Sequence, residues 1–507
     1  MINFEENNIM IFWYTIFVSL LSNCCLIFAE DCEVINNCRL VDIKGDDAWA
    51  NITGHYRSIQ GCINDATSGD TCLVRSGTYY EEVLISGKNN IALRGDLDYE
   101  RPLIDGTVVL KPKMDYDSDN DGFGDGHWKE EFIDGKKVCI GEIEITDDKH
   151  PFQLFLDKDG EREMMTNARW PNALWADKDP STGTPLVFYN KYRGQSDGSS
   201  TRGKMVDEKK DGVSPLAESG LDVSDAMAIL NIGSWCTFVK PVLNHTAGDN
   251  FFTYDDDFGN LNFKPTNNQY YLDSAESLLD NPGEWYYNMD TNVLKFMPWG
   301  EDCPDPDSRA VNGRVIDYAI TIEKTDGIYI SDIDFFASNI NAESTNQAHV
   351  NELYLDSLNF MFPASSKRML QDYNVPKFTK INGHSSGTIH VTNCVFFGGE
   401  SVALYFYGKN AKIHNNLFQW NDWSGQMALH SNGGYGTVWG ENHGTNEEFS
   451  GNTMWYNGAT TGYRPGGHGP KTLNNLVVGQ CIGKIMNDGA GMQFQVIYIL
   501  LVKLTML

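Results

Sequence analysis

From Ile59 the chain reads IQGCINDATSGDTCLVRSGTY: apolar residues at helical spacing, a turn at Ser68-Gly69-Asp70, then an alternating strand ending in Gly77-Thr78-Tyr79. Two more short strands are predicted at 83–85 and 91–94, divided by Gly87 and the Asn89-Asn90 pair. Each is too short to be stable without neighbours. A strand-like unit with Asn or Asp ahead of an aromatic or aliphatic residue then recurs, ending at Phe335, Phe360, Phe396, Phe418, Met454 and Val477. The successive gaps of about 25, 36, 22, 36 and 23 residues equal one coil of a β-solenoid when short, and a coil plus a loop when long. In such a stack Phe, Leu and Val point inward onto the same residue types in the next coil, and Asn side chains at the bends bond one another in a ladder. The alternative, an antiparallel sandwich, would join its strands through tight hairpin turns.

Residues 111–310 lack the repeat and are rich in Trp, Tyr, Pro and Asp. They read as a β-rich subdomain inserted between an N-terminal cap with first coils at 30–110 and further coils at 311–495. At the front, residues 10–28 are apolar except for Thr15, Ser19, Ser22 and Asn23, and Ala29 closes the run before Glu30-Asp31. This predicts a signal peptide over 1–29. Glu5 and Glu6 precede the run without any Lys or Arg, and the run is long enough to span a bilayer, so an uncleaved anchor at the cell surface is the alternative. At the back, the repeat is still running at Asn487-Asp488-Gly489 when the sequence changes to an apolar tail at 496–507. An uncapped solenoid exposes strand edges, so a truncated product is expected.

Two segments of the insert, one containing Ala168-Arg169-Trp170-Pro171-Asn172 and the other Leu279-Asp280-Asn281-Pro282-Gly283-Glu284-Trp285-Tyr286-Tyr287, resemble secreted proteins of the pectin lyase-like superfamily. Together with the repeats, the resemblance covers most of residues 58–495. It implies an all-β, right-handed parallel β-helix and a carbohydrate-active role, and it is weak for the substrate. Trp285, Tyr286 and Tyr287 are expected to alternate in a strand whose rings cap the helix interior.

The formal charge of −30 over 507 residues excludes nucleic acid as a partner, because phosphate binding needs clustered Lys and Arg. A polyanionic glycan would need a local basic patch. Of 11 Cys, two fall in the leader; Cys32/Cys38 and Cys62/Cys72 are the natural disulfides in an oxidising compartment. Sequons at Asn51 and Asn244 agree with a secreted glycoprotein.

Hydrolysis of a glycosidic bond needs one carboxylic acid and a second carboxylate as nucleophile or base. A lyase instead needs a base and a cation to neutralise a uronic carboxylate. Counted forward from the repeat residue of each coil, His430, Arg464 and Asp488 fall at nearly equal offsets, so they are expected to share one face. Asp488 in Asn487-Asp488-Gly489-Ala490-Gly491, where the glycines let substrate approach closely, is the first carboxylate, with Asp422 or Glu441 the second. Trp420, Trp423, Trp439, Trp455, Tyr456 and His468 surround them and suit stacking on a sugar ring, although rings covering a core would look the same. The acidic loop Asp117, Asp119, Asp121 and Asp125 has Gly122 at the sixth position of a calcium-type loop but Trp128 at the twelfth, so Ca2+ there would be structural and no cofactor is required. The expectation is an extracellular monomer acting on polysaccharide, off the membrane once the leader is cleaved. Hydrolase comes ahead of lyase, and a non-catalytic carbohydrate-binding matrix protein is the other reading.

Overall fold

The computed structural model describes residues 37–48, 55–113, 126–158, 160–232, 237–257, 263–265, 268–300, 302–308, 310–343, 350–377, 379–382, 387–424, 437–440, 446–458, 461–466, 469–482 and 492. The leader, the 496–507 tail, Asn51 and the calcium-type loop lie outside them.

The fold is the right-handed parallel β-helix expected from the repeats. Among the described residues, three parallel sheets of ten, eight and seven strands, here sheets I, II and III, wrap one core. Each coil takes a strand of sheet III, then I, then II: Ile320–Glu323, Thr325–Ser331 and Asp334–Phe336 make one, and Leu404–Tyr407, Lys412–His414 and Leu417–Gln419 another. The repeat residues form a single inward column on sheet II, where Phe335 pairs with Phe360, then Phe396, Phe418, Met454 and Val477. The four Phe rings stack at 4.8 to 4.9 Å between centroids and within 15° of parallel. A short coil cannot bury its own apolar side; the next coil does it.

Between sheets I and II the corner takes two residues on six consecutive coils, and the first of each pair is left-handed: Asp332, Ser357, Asn393, Asn415, Gly451 and Asn474. Only Gly and short polar residues adopt this conformation readily, which accounts for the recurrent Asn. The second residue of the last three pairs forms the anticipated ladder. Asn416 donates its backbone N–H and its amide to Asn452 Oδ1 at 2.9 and 3.0 Å, and Asn452 donates likewise to Asn475 at 2.8 and 3.1 Å. A second ladder, Asn421 to Asn457 at 2.9 and 3.2 Å, marks the corner after sheet II.

Helix Ile59–Asp65, capped by Ser58 Oγ accepting from Gly61 N–H at 3.0 Å, packs on the first strands through Ile59, Cys62 and Ile63. The Cys62–Cys72 disulfide ties it to strand Thr71–Val74. Cys38 is also disulfide-bonded, with a partner outside the described residues. Cys139–Cys303, which spacing did not indicate, joins strand Lys136–Glu142 to a point 164 residues on.

Val83–Ser86, Asn89–Gly95 and Leu103–Asp105 pair directly with Ile320–Glu323, Thr325–Ser331 and Asp334–Phe336. The chain therefore leaves the stack after Asp105 and rejoins it at Ile320. Thr107–Val109 and Val311–Arg314 pair antiparallel with each other in an insert sheet, so the excursion starts earlier and ends later than 111 and 310. Their alternation looks like a coil; only the pairing direction separates them from one. Trp285 and Tyr287 do not cap the β-helix interior. They are buried within the insert core, beside Cys139, Phe296 and Met369.

Candidate active site

Sheet III is joined to its neighbours by connections of varying length, from the single residue between Glu323 and Thr325 to the excursion between Asp105 and Ile320. Its outward row is fixed by register: Leu84, Thr321, Asn341, Lys380, Tyr405, Trp439 and Arg464 stand side by side. At a strand separation of about 4.8 Å this row is about 29 Å long. Exposure falls along it, from exposed Leu84 to half-buried Trp439 and buried Tyr405 and Arg464. Tyr405 and Trp439 meet edge to face at 4.7 Å, and Lys380 Nζ lies 5.9 Å from the Tyr405 centroid.

Chemistry gathers where each coil enters sheet III. Glu82, Asp317, Lys367 with Arg368, Glu400 and Asp422 precede the sheet III strands of five of six successive coils, the strand Ile340–Glu343 being the exception. The last of these turns adjoin the insert, at a seam of buried charge. Arg368 holds Asp273 from the insert through Nε at 3.2 and 3.0 Å and Nη2 at 2.7 Å, and its Nη1 pairs with Glu400. Glu400 also accepts from Ser366 N–H at 2.6 Å and Ser366 Oγ at 3.0 Å. Burial works against the Arg368 cation, yet the two carboxylates outweigh it and keep its pKa well above the arginine value. The Tyr271 ring lies between the guanidinium groups of Arg169 and Arg193 at 4.3 and 4.2 Å, and its hydroxyl donates to Ser424 O at 3.0 Å. Arg193 donates to Trp423 O at 3.3 Å. Burial, with the charge of Arg193 beside it, pulls Arg169 down to about 9. Glu284, also buried here, is pushed well above the carboxylate range by desolvation.

Asp422 is buried and left-handed; its N–H donates to Gly399 O at 2.8 Å, and Ser424 N–H donates to Glu400 O at 3.2 Å. The two turns are thereby laced together and place Glu400 and Asp422 on adjacent coils. Asp422 O lies 1.8 Å from where a Cβ on residue 458 would fall, so Gly458 is required there.

The structure brings Trp439 and Arg464 together, and two of the three members of the row drawn through His430, Arg464 and Asp488 lie outside the described residues. Trp439 is the neighbour of Arg464 on the preceding coil, and Tyr463 bridges Met492, four residues past Asp488. His430, Glu441, His468 and Asp488 lie outside the described residues. Trp420 and Trp423 are buried, each about 6 Å from insert residue Trp175, so these rings fasten the insert to the helix instead of facing solvent. Trp455 is 37% exposed but stands on sheet II, with Tyr456 in the corner behind it. Glu400, Asp273, Arg368, Arg193 and Arg169 were missed, although Arg169 and Asp273 lie in or beside the two segments that carry the family resemblance.

Comparison by sequence finds no matching family model and no matching curated protein. Comparison by structure finds seven solved chains. One, described as a glycoside hydrolase, is 14% identical and superposes with a TM-score of 0.50 over 90% of this chain and 96% of its own. A complex of XylC with xylose is 10% identical over 87% of this chain and 67% of its own, with a TM-score of 0.37. The Gp54 tailspike of Acinetobacter baumannii bacteriophage AP22, in complex with A. baumannii capsular saccharide, is 7% identical over 90% and 72%, with a TM-score of 0.16. The first is a likeness of fold; the other two are too distant to carry an argument.

Proposed function

We propose that the chain is a secreted glycoside hydrolase of the pectin lyase-like superfamily, with Glu400 and Asp422 as its carboxylate pair. The observation that carries this reading is two buried carboxylates on consecutive turns beside sheet III, at the seam with the insert. Glu400, engaged by Arg368 and by Ser366, serves as nucleophile. Asp422 protonates the leaving oxygen. Adjacent coils lie about 4.8 Å apart, nearer to the carboxylate spacing of retaining than of inverting glycosidases, so retention at the anomeric carbon is expected. Tyr405 and Trp439 supply sugar-stacking rings, and Arg464 a hydrogen-bonding cation, on the sheet III floor. Asp488, Glu441, His430 and His468 stay candidates for the same site, as does the acidic loop for structural Ca2+.

Exposed Asn244, the disulfides and the leader support secretion. Among the described residues no helix is long and apolar enough to cross a membrane. Arg169, Arg193, Arg368 and Lys367 along one edge favour a second reading, a lyase acting on uronic glycans, since they could neutralise a substrate carboxylate.

Incubation with defined polysaccharides, followed by product analysis, tests both. Saturated products with retained configuration, lost by a hundredfold or so in folded Asp422→Asn, support the hydrolase. Unsaturated, ultraviolet-absorbing products would establish the lyase. Binding without any product would leave a carbohydrate-binding protein and defeat the enzymatic reading.

A further inference from the structure

We infer that the first coils carry a separate binding pocket for a single neutral sugar ring, at the open end of the sheet III row. The inference extends the reading above, since it assigns the end of the same glycan path, but its evidence is independent of Glu400 and Asp422.

A cavity of about 380 Å³ sits over Leu84 and Thr321 and is walled by Glu82, Ile316, Asp317 and Lys367, among others. That volume is at the small end of ligand pockets and suits one ring instead of a chain. Its composition is that of a sugar site. Exposed Leu84 and neighbouring Ile316 offer an apolar patch for the C–H side of a ring, while the carboxylates, Lys367 and Thr321 offer partners for hydroxyls.

Charge selects among sugars. Each acid on the wall already has a cation: Asp317 pairs with Lys367 at 3.1 Å, and Glu82 pairs with Lys149. The pocket is therefore close to electrically neutral, which disfavours a uronate or an amino sugar and leaves a hydroxyl-rich neutral ring.

The wall is also held in place before any ligand arrives. Arg314, fully buried in the strand before it, donates to the carbonyls of Ile316, Asp317, Phe362 and Pro363 at 3.1, 3.2, 2.9 and 3.1 Å. Four carbonyls on two segments are thereby fixed by one side chain, so the Asp317 carboxylate is presented from a rigid turn.

The test is calorimetric titration of the full chain with neutral pentoses and hexoses and with their uronic acids. Neutral sugars should bind and uronic acids should not. Leu84→Trp, at an exposed position, fills the pocket and should abolish binding; Asp317→Asn should weaken it by about tenfold or more. Circular dichroism checks that both variants are folded. Equal binding of uronic acids, affinity unchanged in Leu84→Trp, or no binding of any neutral sugar would overturn the inference. Binding that behaves as expected in a chain that turns over no glycan would overturn the hydrolase reading alone, and turnover with sugar affinity insensitive to Leu84→Trp would overturn the pocket alone.

Discussion

Replacing Glu447 with Gln should make the β-helix more stable at neutral and alkaline pH. Glu447 is buried two residues before inward Phe449, at an interior position that Ala411 takes on the coil above, where Glu448 N–H donates to Ala411 O at 2.8 Å. Desolvation raises its carboxyl pKa to about 8, only partly opposed by the hydrogen bond it accepts from Gly466 N–H at 3.0 Å. An unfolded chain releases this proton near the ordinary value of 4.5, so from pH 4.5 to about 8 the folded state keeps a proton that the unfolded state has lost. The stability present below pH 4.5 is then surrendered progressively as pH rises to about 8. At about 1.4 kcal/mol for each pH unit in that interval, the loss is about 5 kcal/mol at most. Gln fills nearly the same volume and has no proton to lose. Urea midpoints for the two proteins, measured from about pH 4 to about pH 9, should nearly coincide at the acid end and separate up to about pH 8, with the variant the more stable. A gap that stays constant with pH, or a wild type that is the more stable at about pH 9, would refute the assignment of a neutral buried carboxyl.

Two further outcomes concern the stack and the seam. Asn452→Ala removes the acceptor for Asn416 and the donor to Asn475 and to Ile413 O; with about 1–3 kcal/mol for each buried group left unsatisfied, the urea midpoint should fall sharply, and a loss below about 1 kcal/mol would count against a working ladder. Arg368→Met strands Asp273 and Glu400 in the interior and should cost about 3–5 kcal/mol at neutral pH, with faster proteolysis of the insert; a loss below about 1 kcal/mol by urea midpoint would count against the seam as a fastening.

How far the chain could be read in advance depends on how local each signal is. The six repeat residues share one column because the gaps of 22 to 25 residues measure a coil, while the extra residues in the longer gaps are housed in corners and leave strand register untouched. The same corners defeat counting forward from those residues. The hydrogen-bonded strands put Trp439 beside Arg464, a pairing that counting from the repeat residues did not give. The seam left less of a trace. Arg169, Asp273, Arg368 and Glu400 come from four distant segments, and nothing in the alternation around any of them announces a charged partner more than thirty residues away. The aromatic residues pointed to the right region for a different reason, since Trp420 and Trp423 mark where the insert docks.

The corners also explain why the chemistry lies beside sheet III. Between sheets I and II the chain has two residues in which to turn on six consecutive coils, the first left-handed and the second a buried Ile, Leu or Cys on three coils and a ladder Asn on the other three, so the bend has no room for a loop that could build a site. The corners on either side of sheet III vary in length from coil to coil, although the Asn421 to Asn457 ladder repeats a bend after sheet II on two coils. One of these corners admits the whole excursion from Asp105 to Ile320, and the Glu400 and Asp422 turns lie on that same side. Solenoids in general place their insertions on one face, and that face is usually the binding one. Here the physical reason is specific: a two-residue bend repeated on six coils fixes two sheets against each other, while the connections beside the third vary in length and, outside the Asn421 to Asn457 ladder, need not repeat from coil to coil. Charge that would be costly in the interior can collect in those connections, provided that a second body such as the insert brings the countercharge, as Asp273 does for Arg368.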